Sequence, residues 1–151
     1  IDNAMKQYYT NQGTLKLSDD LPAGHIYLTQ KWVQSEPLTL PGHKYQPFFR
    51  GLFDAMLMFE DNSGYALIDF KTSKPTRKQI PFYQRQLMAY VYAMEHPAPD
   101  KLEIRPINAM GLLYFTPADY LDDGAGNYLL RGRDHWQPVL RDDEGFIKFI
   151  D

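Results

Sequence analysis

Two aspartates and a lysine fall at positions where their chemistry can combine. Asp54 lies within an apolar segment, Asp69 ends the next apolar segment, and Lys71 follows two residues later. A buried carboxylate is costly unless a cation or hydrogen bonds compensate it. Two carboxylates and a backbone carbonyl form a suitable partial shell for Mg²⁺, and a neighbouring lysine can orient an attacking water or offset charge on a phosphate. These groups are the minimal set for hydrolysing a phosphodiester.

Three polar side chains share one face of the helix that is predicted to follow. Gln86 and Tyr90 are four residues apart, and Tyr83 lies three residues before Gln86. An amide and a phenol that project together can hydrogen-bond to phosphates or stack on bases. Residues 70–94 contain no acid and five bases, which are Lys71, Lys74, Arg77, Lys78 and Arg85. An electropositive segment therefore adjoins the candidate metal site.

A β-hairpin can bring the two aspartates together. The stretch 45–59 predicts two strand segments, with Gly51 marking a bulge or a close backbone approach. The turn signal at 61–64 separates it from a strand over 65–70. Because neighbouring strands lie only about 5 Å apart, we expect the two carboxylates to converge.

The remaining elements complete one domain over residues 1–151, of α/β (α+β) class, around a mixed β-sheet flanked by helices. Hydrophobic periodicity and breaker residues predict their positions. They are a helix end over 4–11, one or two edge-like strands over 25–33 and 36–40, a helix over 76–95, a strand over 107–115, and short strands and turns after Thr116.

Composition narrows the classes of protein. Sixteen Lys and Arg against 19 Asp and Glu give a net charge of −3, which argues against bulk coating of nucleic acid but allows a local basic groove. An aromatic content of 15% excludes wholesale disorder. The absence of cysteine excludes disulfide scaffolds, iron–sulfur clusters and thiol nucleophiles. With no export signal and no apolar run of about 20 residues, we expect a cytoplasmic location and no membrane partner.

Three motifs in order resemble those of the PD-(D/E)XK nuclease superfamily. They are G-x-x-D at 51–54, I-D-F-K-T-S at 68–73 and Q-L-x-x-Y at 86–90. The match is best with the RecB-like exonuclease branch, in members without an iron–sulfur cluster, and it covers about residues 36–95. D-x-K alone occurs by chance in many proteins, whereas the ordered triplet on the right elements is specific.

This resemblance implies a restriction-endonuclease-like core and a Mg²⁺- or Mn²⁺-dependent nuclease, most readily a DNA exonuclease of recombination, repair or phage systems. It implies metal binding by Asp54, Asp69 and the backbone carbonyl of Phe70, and assistance to the attacking water by Lys71. Residues implied to line the active site or contact DNA are Gln86, Tyr90, Tyr83, Lys74, Arg77 and Arg85. Glu36 resembles an upstream acid of the branch.

The chain departs from this pattern at its N-terminus. Many RecB-like exonucleases place a metal-binding histidine on an N-terminal helix, and no helical histidine precedes the motifs here. Either the chain is a fragment of a longer protein, or this member works without that histidine. The alternative function is a catalytically inactive or truncated nuclease-fold domain that binds nucleic acid or a partner protein. The oligomeric state stays open.

Ordinary structural roles also fit these residues. Asp69 and Lys71 can form a surface ion pair worth about 0 to 1 kcal/mol. Asp54 can hydrogen-bond to backbone in a turn. Gln86 and Tyr90 can cover the sheet, and the basic stretch can be a solvated helix face.

Overall fold

Across residues 2–150, which the computed structural model describes, five strands form one mixed sheet that three helices flank. In chain order the elements are α1 (Asp2–Thr10), β1 (Gly24–Gln34), β2 (Arg50–Phe59), β3 (Tyr65–Lys71), α2 (Ile80–Glu95), β4 (Ile107–Asp122), β5 (Tyr128–Pro138) and α3 (Asp143–Ile150). The spatial order is β1-β2-β3-β4-β5. Only β3 and β4 pair in parallel. The expected mixed sheet flanked by helices is confirmed.

Apolar side chains are buried on both faces of the sheet. The α2-side cluster lies under α2 and α3, and its largest fully buried members are Phe53, Met56, Leu67, Leu87, Met94, Ile107, Met110 and Leu112. The α1-side cluster comprises Met5, Tyr9, Ala55, Leu57, Phe59, Ala66, Ile68, Phe70 and Leu113. The chain crosses from β3 to the parallel strand β4 through α2, as a parallel connection requires. α1 and α2 therefore pack against β2 and β3 from opposite faces of the sheet.

The predicted hairpin is present, and its first strand is simpler than expected. β2 is one strand rather than two segments, and it pairs antiparallel with β3 from Met58↔Tyr65 to Ala55↔Ile68. Of the two roles expected for Gly51, the structure shows the close backbone approach and no bulge, since Val33↔Gly51 and Gln34↔Arg50 pair in regular register. A Cβ atom at this position would lie 2.4 Å from Cε1 of Tyr90, so the tyrosine ring rests directly on the backbone of β2.

The N-terminal helix is confirmed, whereas the second helix starts later than its periodicity suggests. α2 begins at Ile80 rather than at Thr76. The side chain of Gln79 accepts a hydrogen bond from the backbone N–H of Thr76 at 2.9 Å, which holds residues 76–79 in a turn. Pro81 then lies in the first turn of the helix, where its missing N–H has no cost.

The C-terminal third differs most from the expectation. β4 runs on to Asp122 and pairs with β5 in one long hairpin, where short strands were predicted. Residues 119–130 of this hairpin are mostly exposed, so they lack the alternation of buried and exposed positions that reveals a strand. α3 was not predicted, because it has only eight residues and includes Gly145.

Packing and an ion pair hold α3 against α2. Phe146 is buried in the α2-side cluster. Just before α3, the guanidinium of Arg141 lies 2.5 Å from a carboxylate oxygen of Glu95 and donates to the carbonyl of Ile107 at 2.7 Å. These contacts fix the C-terminal end of α2 to β4. Within residues 2–150, no helix has both the length and the apolar character needed to cross a membrane.

Candidate active site

The two predicted carboxylates converge where the β2–β3 ladder ends. Its last pair is Ala55↔Ile68, and one further step would place Asp54 opposite Asp69. At that step a side-chain hydrogen bond takes the place of the backbone pairing. Oδ2 of Asp54 accepts a hydrogen bond from the backbone N–H of Phe70 at 2.9 Å. We call Asp54 and Asp69 the carboxylate dyad.

The alternation of faces along β2 changes at Asp54. Phe53 packs in the α2-side cluster, and Ala55, two residues later in the same strand, packs in the α1-side cluster. Opposite Asp54 on β1, Gln30 has a φ of 49°, a conformation that a regular strand does not contain. Asp54 therefore lies at a paired irregularity of two strands, and its side chain can meet groups from both faces of the sheet. Such irregularities commonly redirect a side chain next to a site.

Asp69 is a buried acid with incomplete hydrogen bonding. Only 7% of the residue is exposed. Its Oδ2 atom lies 2.6 Å from the ammonium of Lys71 and makes no further hydrogen bond among the described residues. Burial raises the pKa of Asp69, the hydrogen bond of Lys71 lowers it, and the charge of Asp54 raises it again, to about 6. The sequence also allowed Asp69 and Lys71 to form an ion pair at the surface. The pair is present, but its acid is buried.

Lys71 is held on the same face as Asp69, as the spacing of two in a strand predicts. Besides its contact with Asp69, its ammonium lies 4.3 Å from the ring centroid of Tyr83 on α2. Burial by itself lowers the pKa of Lys71, but the hydrogen bond and charge of Asp69 outweigh it, and the pKa is raised. The lysine thus stays cationic beside the dyad at neutral pH.

A second lysine reaches the dyad from the other face. Lys6 on α1 lies 3.1 Å from Oδ1 of Asp54, and both side chains are largely buried. Its neighbours Met5 and Tyr9 pack in the α1-side cluster, which orients α1 over the sheet. Sequence reasoning missed Lys6, because its partner lies 48 residues away and no local spacing links the two.

Gln86 and Tyr90 form a pair on α2, as predicted. The Nε2 atom of Gln86 donates to the hydroxyl of Tyr90 at 3.2 Å. The ring of Tyr90 occupies the space that the missing side chain of Gly51 leaves, so the G-x-x-D and Q-L-x-x-Y motifs are one packing unit. This contact, and not a turn, explains the glycine three residues before Asp54.

Two other residues predicted for the site, Glu36 and Arg85, have partners outside the dyad. Glu36 follows β1 and faces His96 at 3.9 Å. Arg85 lies two residues, or about 200°, around α2 from Tyr83, and its guanidinium covers the ring of Phe149 at 4.2 Å. The exposed pair Lys74 and Arg77 lies between β3 and α2. A role at the dyad for Glu36 or Arg85 is not supported by these positions, whereas contact of the three bases with nucleic acid stays a prediction.

The donor set at the dyad suits a small divalent cation. Its two carboxylates and the adjacent backbone carbonyl of Phe70 are hard oxygen ligands, which Mg²⁺ and Mn²⁺ prefer. The buried Oδ2 of Asp69 and the mutual repulsion of the two acids are features that a cation would relieve. In the described part of the chain, no group of three or more His, Cys, Asp or Glu side chains could hold a metal.

Comparison with known proteins adds no relative. No family model matches the chain, and no curated protein matches it.

The Gly51–Tyr90 contact makes a testable prediction about stability. We expect Gly51→Ala to lower the free energy of unfolding by about 1 to 3 kcal/mol, because the new methyl group would overlap the ring of Tyr90. In a Tyr90→Ala background the same change should cost less, and urea unfolding of the four proteins measures the coupling. Gly13→Ala is the control, since nothing lies within 4 Å of a Cβ there. Equal costs in both backgrounds would refute the contact.

Proposed function

We propose that this chain is a metal-dependent nuclease of the RecB-like branch of the PD-(D/E)XK superfamily, acting on DNA from its ends. The observation that carries the proposal is the convergence of Asp54, Asp69 and Lys71 at the end of the β2–β3 ladder. A D-x-K string by itself does not bring a second acid to the same place. Here the lysine, the buried acid and the acid of the preceding strand meet at one point.

Asp54, Asp69 and the carbonyl of Phe70 would hold Mg²⁺ or Mn²⁺. When bound, the ion supplies Lewis-acid activation of the phosphate and of water. Asp69 is suited to this role because burial and the charge of Asp54 leave its ionised form short of compensation. Asp54 is already oriented, because the backbone N–H of Phe70 fixes one of its oxygens.

Lys71 contributes a fixed positive charge. Its ammonium, held between Asp69 and the ring of Tyr83, can orient the attacking water and stabilise negative charge that develops on the phosphate. Gln86 and Tyr90 provide an amide and a phenol near Gly51, three residues from Asp54, and can donate hydrogen bonds to phosphate oxygens of the bound strand.

Cleavage of end-labelled DNA tests the proposal. We expect single- or double-stranded substrates to be degraded with Mg²⁺ or Mn²⁺ and to survive with EDTA. Asp54→Asn should lose this activity. Asp61→Asn, in the turn of the same hairpin, should keep it, because Asp61 bonds only within that turn. Metal-independent cleavage, or equal activity of wild type and Asp54→Asn, would contradict the proposal.

One observation favours the alternative of a non-catalytic domain that binds nucleic acid or a partner protein. Both acids of the dyad already have an ammonium partner, Lys6 for Asp54 and Lys71 for Asp69. Such pairs can stabilise a fold without metal. Calorimetric titration with Mn²⁺ separates the two functions. Binding that disappears in Asp54→Asn supports the enzyme, whereas no heat of binding in wild type supports the scaffold.

A further inference from the structure

An aromatic and cationic patch is exposed on β1 and β2 near the dyad. Trp32 and Leu52 are directly opposite each other in the β1–β2 ladder, and they are 60% and 40% exposed. The guanidinium of Arg50 lies 4.9 Å from the centroid of the Trp32 ring. We call these three residues the stacking patch. The patch thus presents an aromatic ring to solvent with a cation stacked beside it.

The stacking patch lies on the face of the sheet that carries α1. The neighbours of its residues face α2, since Val33 is buried in the α2-side cluster and Gly51 contacts Tyr90. Trp32 and Leu52 therefore project from the opposite face. α1 lies on that face and brings Lys6 to Asp54.

The distance to the dyad is short. Leu52 precedes Asp54 by two residues on β2, and Trp32 follows Gln30, the residue opposite Asp54, by two residues on β1. Two residues of a strand span about 7 Å. A strand with a phosphate at Asp54, the acid of the dyad that α1 also reaches, can therefore place a neighbouring base on the patch.

The chemistry of the patch favours nucleobases over an apolar protein surface. A tryptophan ring and a guanidinium plane are both stacking partners for bases. Arg50 lies within the patch and Lys6 lies at Asp54, so a cation is present at each end of the path that a phosphate backbone would follow. An apolar protein partner would have to bury the charge of Arg50, which is costly without an acid to pair it.

We propose that the stacking patch binds unpaired bases of a single-stranded nucleic acid whose backbone lies at the dyad. The inference rests on the proposed function and names its substrate class. Bases within a duplex stack on one another, so their faces are not free to cover Trp32. A single strand exposes these faces at every nucleotide.

Tryptophan fluorescence tests the proposal directly, because the chain has only two tryptophans. Oligothymidylate is titrated in EDTA, so that no cleavage occurs. We expect quenching in Trp136→Phe, which keeps Trp32, and little or none in Trp32→Phe. By anisotropy, Trp32→Ala should weaken binding of the labelled oligonucleotide roughly 5- to 150-fold, and Trp32→Phe should largely restore it. Tyr45→Ala, at an exposed aromatic residue outside the patch, should leave the affinity unchanged.

Equal affinity of wild type and Trp32→Ala would overturn the proposal, as would tighter binding of a matched duplex that also needs Trp32. A dimer in light scattering that Trp32→Ala converts to a monomer would identify the patch as a self-association surface and overturn it too. A failure of the proposed nuclease function can be distinguished from a failure of the stacking patch. If no metal supports cleavage while Trp32-dependent quenching persists, the stacking patch stands and the enzyme does not.

Discussion

Replacement of Asp69 by asparagine is expected to lower metal-dependent DNA cleavage at least roughly 10²-fold while leaving the fold intact. Asparagine has nearly the shape of aspartate, so the packing of β3 is kept. It lacks the negative charge that would hold a cation beside Asp54. Mn²⁺ binding should therefore be lost together with cleavage.

The same substitution should raise stability at neutral pH. The folded protein raises the pKa of Asp69 to about 6, above the value of about 3.9 in an unfolded chain. Between these values the native state binds the proton more tightly, so the contribution of Asp69 to stability falls as pH rises from about 4 to about 6. The penalty at pH 7 corresponds to at most about 3 kcal/mol. Asp69→Asn removes it.

Urea unfolding at pH 4 and pH 7 in EDTA, together with a cleavage assay, checks both expectations. Stability of Asp69→Asn should exceed that of wild type at pH 7 and approach it near pH 4. Asp19→Asn, at an exposed loop residue, is the matched control and should change neither property. A variant that is less stable than wild type at pH 7 would show that the dyad is a stabilising ion-pair network rather than a binding site.

Lys71→Met should also slow cleavage, by removing a positive charge from the site rather than by preventing metal binding. The methionine keeps the length and apolar stem of the side chain and removes the ammonium that lies between Asp69 and Tyr83. We expect the cleavage rate to fall roughly 10²- to 10³-fold. Mn²⁺ binding should be retained or tightened, because the ammonium no longer competes for the carboxylate of Asp69.

Parallel calorimetry and cleavage assays distinguish Lys71 from the metal ligands. Lys101→Met is the control, since Lys101 is an exposed cation in the loop between α2 and β4 and belongs to none of the predicted site residues. If Lys71→Met abolishes Mn²⁺ binding, the lysine supports the structure of the dyad and does not act on the substrate. If it cleaves at the wild-type rate, Lys71 has no catalytic role.

Local sequence patterns were sufficient to predict that Asp54, Asp69 and Lys71 come together. A turn between two apolar segments predicted the β2–β3 hairpin, and antiparallel geometry then required Asp54 and Asp69 to converge. Spacing of two in a strand placed Lys71 on the face of Asp69, and spacing of four in a helix joined Gln86 to Tyr90. Each of these relations acts within one element or one hairpin, where backbone geometry fixes the outcome.

Contacts between distant elements were decided by tertiary packing alone. Lys6 reaches Asp54 because Met5 and Tyr9 pack α1 onto the sheet. Arg85 contacts Phe149 because α3 packs beside α2, and no periodicity in the sequence predicted α3. The role of Gly51 appears only when the ring of Tyr90 meets it across the fold. By itself the sequence determined which groups can do chemistry and that a hairpin joins them. Which cations surround the acids depends on the register and packing of helices, because side-chain contacts between elements far apart in the chain have no fixed spacing.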